Sequence, residues 1–399
     1  MQKGTYSSPL ECTGQLKFCG NPLRVDMYKG CTFGCNYCFA NSRLLQGNFG
    51  ADSKFDWANI ETIENYFKKA YEDKDSKNME VEMIRNKVPL HCGGMSDPFQ
   101  PREFQLHLTY KLIELSNKYQ HPIMFSTKSA DLPEEYFEIL DPKLHAFQVS
   151  ICGWDDDFIR KYETQTPTAK ERVAFLKKLK DRGFWTALRI QPLIELEQAK
   201  KITKACCEEN CVSYITVEHL KIPMDNPLIM GLFKDVYSID KFTIPTNSKA
   251  GGRGTSFKSS VKIDNYKAIC DIANSYGIKV GAGDNDIHFL SQSRCCCGID
   301  TIPGGNFNNW VKYNLTYFLT SKEEDKEKFE DIWTPNNPYS IPFARKGKSE
   351  LVPYKDFVNR FIKKHPYLIP QDRKDLRRNF KLGVNNSLFS LNKKEEEEE

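Results

Sequence analysis

The strongest constraint on this chain is a regular alternation of two patterns. Short apolar runs of strand length recur between amphipathic stretches of helical length. The runs predict strands over Leu23–Tyr28, Val88–Cys92, Pro122–Ser126, Ala146–Ile151, Trp185–Ile190, Tyr214–Leu220 and Lys279–Ala282. Several are continuously apolar, as strands buried on both faces are. Helical patterns lie between them at Trp57–Tyr71, Glu103–Tyr119, Glu134–Leu140, Thr168–Asp181, Glu197–Glu209 and Asn265–Tyr276. Thr168 with Glu171 reads as a capping box, and Gly183 ends that helix. Strand–helix alternation of this kind implies a parallel sheet with right-handed crossovers. The fold class is α/β, with a partial or complete (β/α) barrel or an open doubly wound sheet as its forms. In each, ligands bind at the C-terminal ends of the strands.

The alternation stops near Gly304. The expected organisation is an N-terminal extension over 1–22, a β/α unit over 23–304, a basic and aromatic extension over 305–390 and a disordered tail over 391–399. No apolar run reaches the roughly 18 residues of a membrane helix. Met1–Leu10 is polar and lacks a leader's apolar stretch, so a cytoplasmic protein is expected. Fourteen cysteines in a reducing compartment point to metal or cluster binding for some of them rather than to disulfides.

The chain carries +4. Five of its acids form the terminal run Glu395–Glu399, so the rest carries +9. The stretch 341–381 holds twelve Lys/Arg against four Asp/Glu, interleaved with Tyr354, Phe357, Phe361, Tyr367 and Phe380. That pattern fits a nucleic-acid surface, where cations meet phosphates and aromatic rings stack on bases. It also fits a helix pair with a solvated basic face.

Directly after the first strand comes Gly30-Cys31-Thr32-Phe33-Gly34-Cys35-Asn36-Tyr37-Cys38. Thiolates are the ligands iron–sulfur clusters need, and the two glycines let the backbone wrap a bulky group. Three local cysteines leave one iron of a [4Fe–4S] cluster open, or a fourth ligand comes from elsewhere. Structural zinc normally closes a tetrahedron with two paired hooks; here there is one hook of three.

This CxxxCxΦC loop, with Tyr37 as its aromatic, resembles the radical S-adenosylmethionine (SAM) superfamily. The resemblance implies a radical SAM β/α barrel in which Cys31, Cys35 and Cys38 hold a [4Fe–4S] cluster. SAM would chelate the open iron, and its reductive cleavage would give a 5′-deoxyadenosyl radical. Tyr37 would cover the adenine or shield the cluster. An electron donor such as flavodoxin or ferredoxin is implied as well. The second strand ends in His91-Cys92-Gly93-Gly94-Met95-Ser96-Asp97-Pro98-Phe99-Gln100-Pro101. Here Gly93, Gly94, Ser96 and Asp97 stand where the superfamily holds the methionine amino group, without its usual Glu. Ser-Asp-Pro-Phe-Gln-Pro is similar to the branch containing spore photoproduct lyase and the "DNA repair photolyase"-like proteins. Ser126-Thr127-Lys128-Ser129, Val149-Ser150, Tyr162-Glu163 through Pro167, Glu171 and Arg172, and Arg189-Ile190-Gln191-Pro192 follow the same branch. By that resemblance Lys128 would pair with the methionine carboxylate, and Ser150 or Arg189 would contact the nucleoside or carboxylate. Arg189 could equally be an interior cation paired with Glu218.

Spore photoproduct lyase uses a cysteine beside its Ser-Asp as hydrogen donor. Met95 occupies that place here, which leaves Cys92, Cys295, Cys296 and Cys297 as candidate donors. The triplet Cys295-Cys296-Cys297 could alternatively pack as small apolar residues. An auxiliary cluster would need Cys12 and Cys19 to fold across the barrel mouth. Cys206, Cys207 and Cys211 read as packing residues, and Gly251–Gly254 as a mobile loop. The reading these features favour is a radical SAM enzyme acting on a nucleic acid or nucleotide. The alternatives are a radical SAM enzyme for a peptide or small metabolite, and a non-catalytic metal-binding protein.

Overall fold

The computed structural model describes residues 4–6, 8–13, 19–38, 40, 55–73, 78–223, 231, 233, 246–248 and 252–309, together with short strand pairs at 345–346/350–351 and 381–383/390–392. Most of the expected extension over 305–390, including most of the basic stretch 341–381, lies outside the described residues, as does most of 391–399.

An eight-stranded sheet organises the chain. Its strands are β1 (Leu10–Cys12), β2 (Leu23–Val25), β5 (Leu90–Cys92), β6 (Ile123–Thr127), β7 (His145–Ser150), β8 (Trp185–Leu193), β9 (Tyr214–His219) and β13 (Lys279–Ala282), adjacent in that order. β1 is antiparallel to β2; every later neighbour is parallel. The order is linear, so the sheet is an open arc and not a closed barrel. Two short strands, β3 (Tyr28–Lys29) and β4 (Asp56–Trp57), pair beside it. β10 (Lys221–Pro223), β11 (Thr246–Ser248) and β12 (Gly252–Ser256) form a separate antiparallel sheet. That corrects the mobile-loop reading for Gly252, Arg253 and Gly254, whose backbones are paired across β12; Gly251 lies outside the described residues.

The helices are α1 (Ile60–Glu72), α2 (Met79–Arg85), α3 (Glu103–Leu106), α4 (Leu108–Tyr119), α5 (Glu134–Ile139), α6 (Asp156–Tyr162), α7 (Ala169–Asp181), α8 (Leu196–Glu208) and α9 (Ser259–Ser275). The capping box of α7 forms as the sequence predicts: Thr168 and Glu171 exchange side-chain and backbone bonds, and Gly183 follows at φ +89°. α2 and α6 carry too few turns for a visible apolar period. β1 is a three-residue edge strand with no pattern of its own.

Alternation along the strands divides the interior in two. Phe125, Phe147, Val149, Leu188, Ile190, Ile215 and Val217 point into the main core with the helices. Met124, Ala146, Trp185, Ala187 and Tyr214 point the other way and meet Cys295, Ile299, Ile302 and Phe307. The segment after β13 therefore lines the concave face of the arc. This explains why β6 and β7 are buried at every position.

One expected helix is broken. The pattern over Glu103–Tyr119 becomes α3 and α4, divided at His107, which is left-handed at φ +53°. The fully buried Glu103 makes the break. Its carboxylate accepts the backbone N–H groups of Leu108 (3.1 Å), Thr109 (2.9 Å) and Tyr110 (2.9 Å), which are the orphan donors of α4. Tyr136 donates to it at 2.7 Å, and Tyr28 donates to it from the base of the cysteine loop. Glu103→Ala leaves those donors buried without a partner. It should cost about 3 kcal/mol or more in urea unfolding, with the isosteric Glu103→Gln costing less.

Candidate functional site

The cysteine loop leaves the sheet beyond β2 and is gripped from two sides. Buried Gln100, in the loop after β5, accepts the Thr32 N–H at 2.9 Å and donates to the Gly30 carbonyl at 3.2 Å. On the other side lies the segment at the end of α6. The Asn36 N–H bonds to the Tyr162 carbonyl (2.9 Å), and its side chain bonds to the Lys161 carbonyl (2.8 Å). The Gln165 N–H reaches Phe33 O (3.3 Å), the Thr164 hydroxyl reaches Gly34 O (3.1 Å), and Cys35 forms a backbone bridge with Glu163. Gly30 (φ +98°) and Gly34 (φ +60°) supply the left-handed backbone the wrap requires.

Cys31, Cys35 and Cys38 are half-buried on this loop, and none of the three is in a disulfide. Burial pushes Cys31 up to about 12, with Asp97 adding to it; burial also raises Cys35, against the pull of Lys128. Without a cation to compensate them these groups stay protonated. The Thr32 hydroxyl beside them is buried with no hydrogen-bond partner. Soft sulfur donors on a tightly held, half-buried loop fit an iron–sulfur cluster. Among the described residues no three of His, Cys, Asp and Glu converge as they would around one metal ion. A cubane offers each thiolate its own iron, so its ligands need not meet at a point.

Tyr37, Lys128 and Glu163 meet beneath the loop. Tyr37 donates its hydroxyl proton to the Glu163 carboxylate. The Lys128 Nζ lies 3.7 Å from that carboxylate and 5.8 Å from the Tyr37 ring centroid. Arg172 Nη1 pairs with the other carboxylate oxygen at 2.7 Å, and both side chains are fully buried. Burial works against the charge of Glu163, yet Arg172 and then Lys128 outweigh it and hold the carboxyl below its usual range. Burial likewise opposes Lys128, and Glu163 followed by Cys35 holds its pKa up.

The loop after β5 is the second wall. Gly93 has φ +109°, and a Cβ there would come within 2.2 Å of the Ser126 carbonyl, so only glycine fits. Gly94 passes close to Arg24 and Asp26. Buried Asp26 accepts the Met95 N–H (2.7 Å) and the Ser96 N–H (3.3 Å), and burial pushes it up to about 6. The Ser96 hydroxyl is buried with no hydrogen-bond partner. Asp97 faces inward. It accepts the Thr127 hydroxyl (2.7 Å), the Lys128 N–H (2.6 Å) and the Phe99 N–H (2.9 Å), and so ties the ends of β5 and β6 together.

Ser150, at the end of β7, is the register partner of Arg189, midway along β8, level with Thr216 on β9 and Gly281 on β13. The Ser150 carbonyl accepts from Arg172 at 2.7 Å. Arg189 reaches Glu218 through Gln191, which accepts from the arginine and donates to the carboxylate. Below this tier His91 shares a hydrogen bond with Ser126 (2.8 Å). Burial, with Arg189 and Arg24 adding to it, pushes His91 down to about 3, so its ring is neutral.

The cysteine triplet crosses the concave face just below Arg189. The Cys296 carbonyl accepts from Thr216 (2.9 Å), and the Cys297 carbonyl accepts from Gln148 (3.1 Å). Cys295 and Cys297 place their Sγ atoms 2.7 Å apart. Cys19, Cys296 and Cys297 are half-buried and all lie within electrostatic reach of Arg189. Cys92 belongs to the main core on the opposite face of the sheet, and Cys12 bonds to the Met83 sulfur at 3.3 Å. Cys206, Cys207 and Cys211 are buried packing residues.

The structure thus brings the cysteine loop, Tyr37 and Lys128 together, and sets the Gly93–Asp97 loop, Ser150 and Arg189 on neighbouring strands or just beyond them. Sequence reasoning missed Asp26, Gln100, Glu163 and Arg172 as site residues. Each acts by holding another group, and the only signal for three of them was their place within the matched stretches.

The Radical SAM superfamily model matches residues 25–194. Among curated proteins no sequence matches. Among solved structures, a spore photoproduct lyase complexed with dinucleoside spore photoproduct aligns at a TM-score of 0.54 and 13% identity, over 69% of this chain and 78% of that one. A mutant of spore photoproduct lyase with bound AdoMet and the same dinucleoside aligns at 0.52 and 13%, over 67% and 78%. A third spore photoproduct lyase structure, also a mutant, aligns at 0.51 and 14%, over 69% and 77%. At such identities the likeness is one of fold. Residues 25–194 are therefore a radical SAM domain, set in the open α/β arc that this chain shares with spore photoproduct lyases.

Proposed function

We propose that this protein is a radical SAM enzyme acting on a nucleic acid or nucleotide. The observation that carries the cofactor reading is the clamped loop: three half-buried cysteines, none in a disulfide, at the C-terminal edge of a parallel sheet, with a partly buried lysine beneath them. In this reading Cys31, Cys35 and Cys38 hold a [4Fe–4S] cluster, and Gly93, Gly94, Ser96, Lys128, Ser150 and Arg189 surround SAM. When bound, that pair supplies one electron to the sulfonium and with it a carbon-centred radical able to abstract hydrogen. The protein's own part is orientation and exclusion of water. Lys128 offers a partly buried cation to a carboxylate. Gly93 exposes backbone at the strand end, and Asp26 and Asp97 hold the loop around it in place. Arg189, tethered through Gln191, keeps a fixed positive charge over the concave face.

Cys296 and Cys297 are the better placed hydrogen donors. Either could pass a hydrogen atom to a substrate radical, breaking its S–H bond, forming a C–H bond and leaving a thiyl. Cys92 lies on the other face of the sheet. The basic, aromatic stretch 341–381 and the dinucleoside bound in the aligned spore photoproduct lyase structures support a nucleic-acid or nucleotide substrate. A flavodoxin- or ferredoxin-like protein is the expected reductant.

Anaerobic reconstitution tests the cofactor reading. The wild type should gain cluster absorbance in the visible and, with dithionite and SAM, form 5′-deoxyadenosine. Cys35→Ala should lose both; a variant that keeps both removes the loop from the mechanism. Binding of the full chain to DNA or RNA should weaken steeply with salt, as expected when several phosphates are neutralised. Salt-independent or undetectable binding would turn the reading toward a peptide or small metabolite.

A further inference from the structure

We propose that Glu163 is the positioning residue that sets the charge felt by the cysteine loop, by offsetting the two cations Arg172 and Lys128 beside it. The inference rests on the reading of Cys31, Cys35 and Cys38 as iron ligands.

The carboxylate has no solvent exposure and meets three side chains at once: Arg172 at 2.7 Å, Lys128 at 3.7 Å and the Tyr37 hydroxyl. The Thr166 hydroxyl adds a longer bond at 3.4 Å. Glu163 also meets the loop through its backbone, in the bridge to Cys35. Arg172 is committed elsewhere as well, to the Ser150 carbonyl (2.7 Å), the Thr166 hydroxyl (3.4 Å) and the Thr168 carbonyl (3.4 Å). The carboxylate therefore stands between two cations, and Asp97 is a second buried carboxylate within electrostatic reach of Lys128. Lys128 lies over the Tyr37 ring and within electrostatic reach of Cys35. A thiolate cluster held by the loop would feel the balance of these charges. The reduction potential of such a cluster follows its net charge, hydrogen bonds and burial, so Glu163 tunes it by fixing how much positive charge the loop sees.

The sign of the effect separates this role from a merely structural one. Glu163→Gln removes a negative charge and should move the cluster potential to more positive values. Lys128→Gln removes a positive charge and should move it to more negative values. Loosening the loop alone would shift both variants the same way, because both release Tyr37 and admit water. Glu163→Asp keeps the charge on a shorter arm and should return the potential toward that of the wild type. The experiment is an anaerobic potentiometric titration of the reconstituted full chain, followed by EPR. Opposite shifts in the two Gln variants are expected. Shifts of one sign, no shift, or an Asp variant that behaves like Glu163→Gln overturns the proposal. Should Glu163→Gln not retain a cluster, Lys128→Gln carries the test alone, and a positive or absent shift there overturns it. A wild type that assembles no cluster at all defeats the cofactor reading instead.

Discussion

A carboxylate without solvent exposure survives as an anion only where cations or hydrogen-bond donors reach it. Glu163 has two cations, Arg172 and Lys128, and the architecture of the site follows from satisfying it. Arg172 comes from α7, whose start is fixed by the Thr168–Glu171 capping box. Lys128 comes from the end of β6, and Tyr37 comes from the cysteine loop itself. One buried group thus ties together a helix, a strand end and the loop that carries the three thiols. Breaking such an arrangement by removing one partner is far more costly than never having built it.

The same economy runs through the rest of the site. Asp26 holds the Gly94–Ser96 backbone, Asp97 joins the ends of β5 and β6, and Gln100 grips the cysteine loop from the opposite side. Glu103 caps α4 and reaches Tyr28 at the loop's base. Buried polar side chains between strand ends do the positioning, while the apolar outer face of the sheet supplies the core. Loops held in this way can present polar groups to a ligand without rearranging, which is what preorganisation demands.

The sequence makes the parallel sheet legible because β6, β7 and β9 are short runs rich in β-branched and aromatic residues with clear boundaries. It also makes the cysteine loop legible, since three thiols at close spacing with flanking glycines have few other uses. The break at His107 was hidden: helical periodicity continues across it, and only the reach of the Glu103 side chain reveals a new N-terminus. Glu163 and Arg172 were visible as residues but not as a site. Their roles depend on contacts with partners far away in sequence, as between Tyr37 and Glu163, 126 residues apart. The position of the Cys295–Cys297 segment on the concave face was equally out of reach, because a turn-rich run carries no period to place it.

The central claim is that the loop's three cysteines leave one iron of a [4Fe–4S] cluster open to SAM. Mössbauer spectroscopy of the anaerobically reconstituted protein, loaded with isotopically enriched iron and recorded with and without SAM, tests it most directly. The account predicts a single subsite whose parameters change when SAM is added while the other three stay as they were. A spectrum indifferent to SAM, or one without a cubane signature, would contradict it.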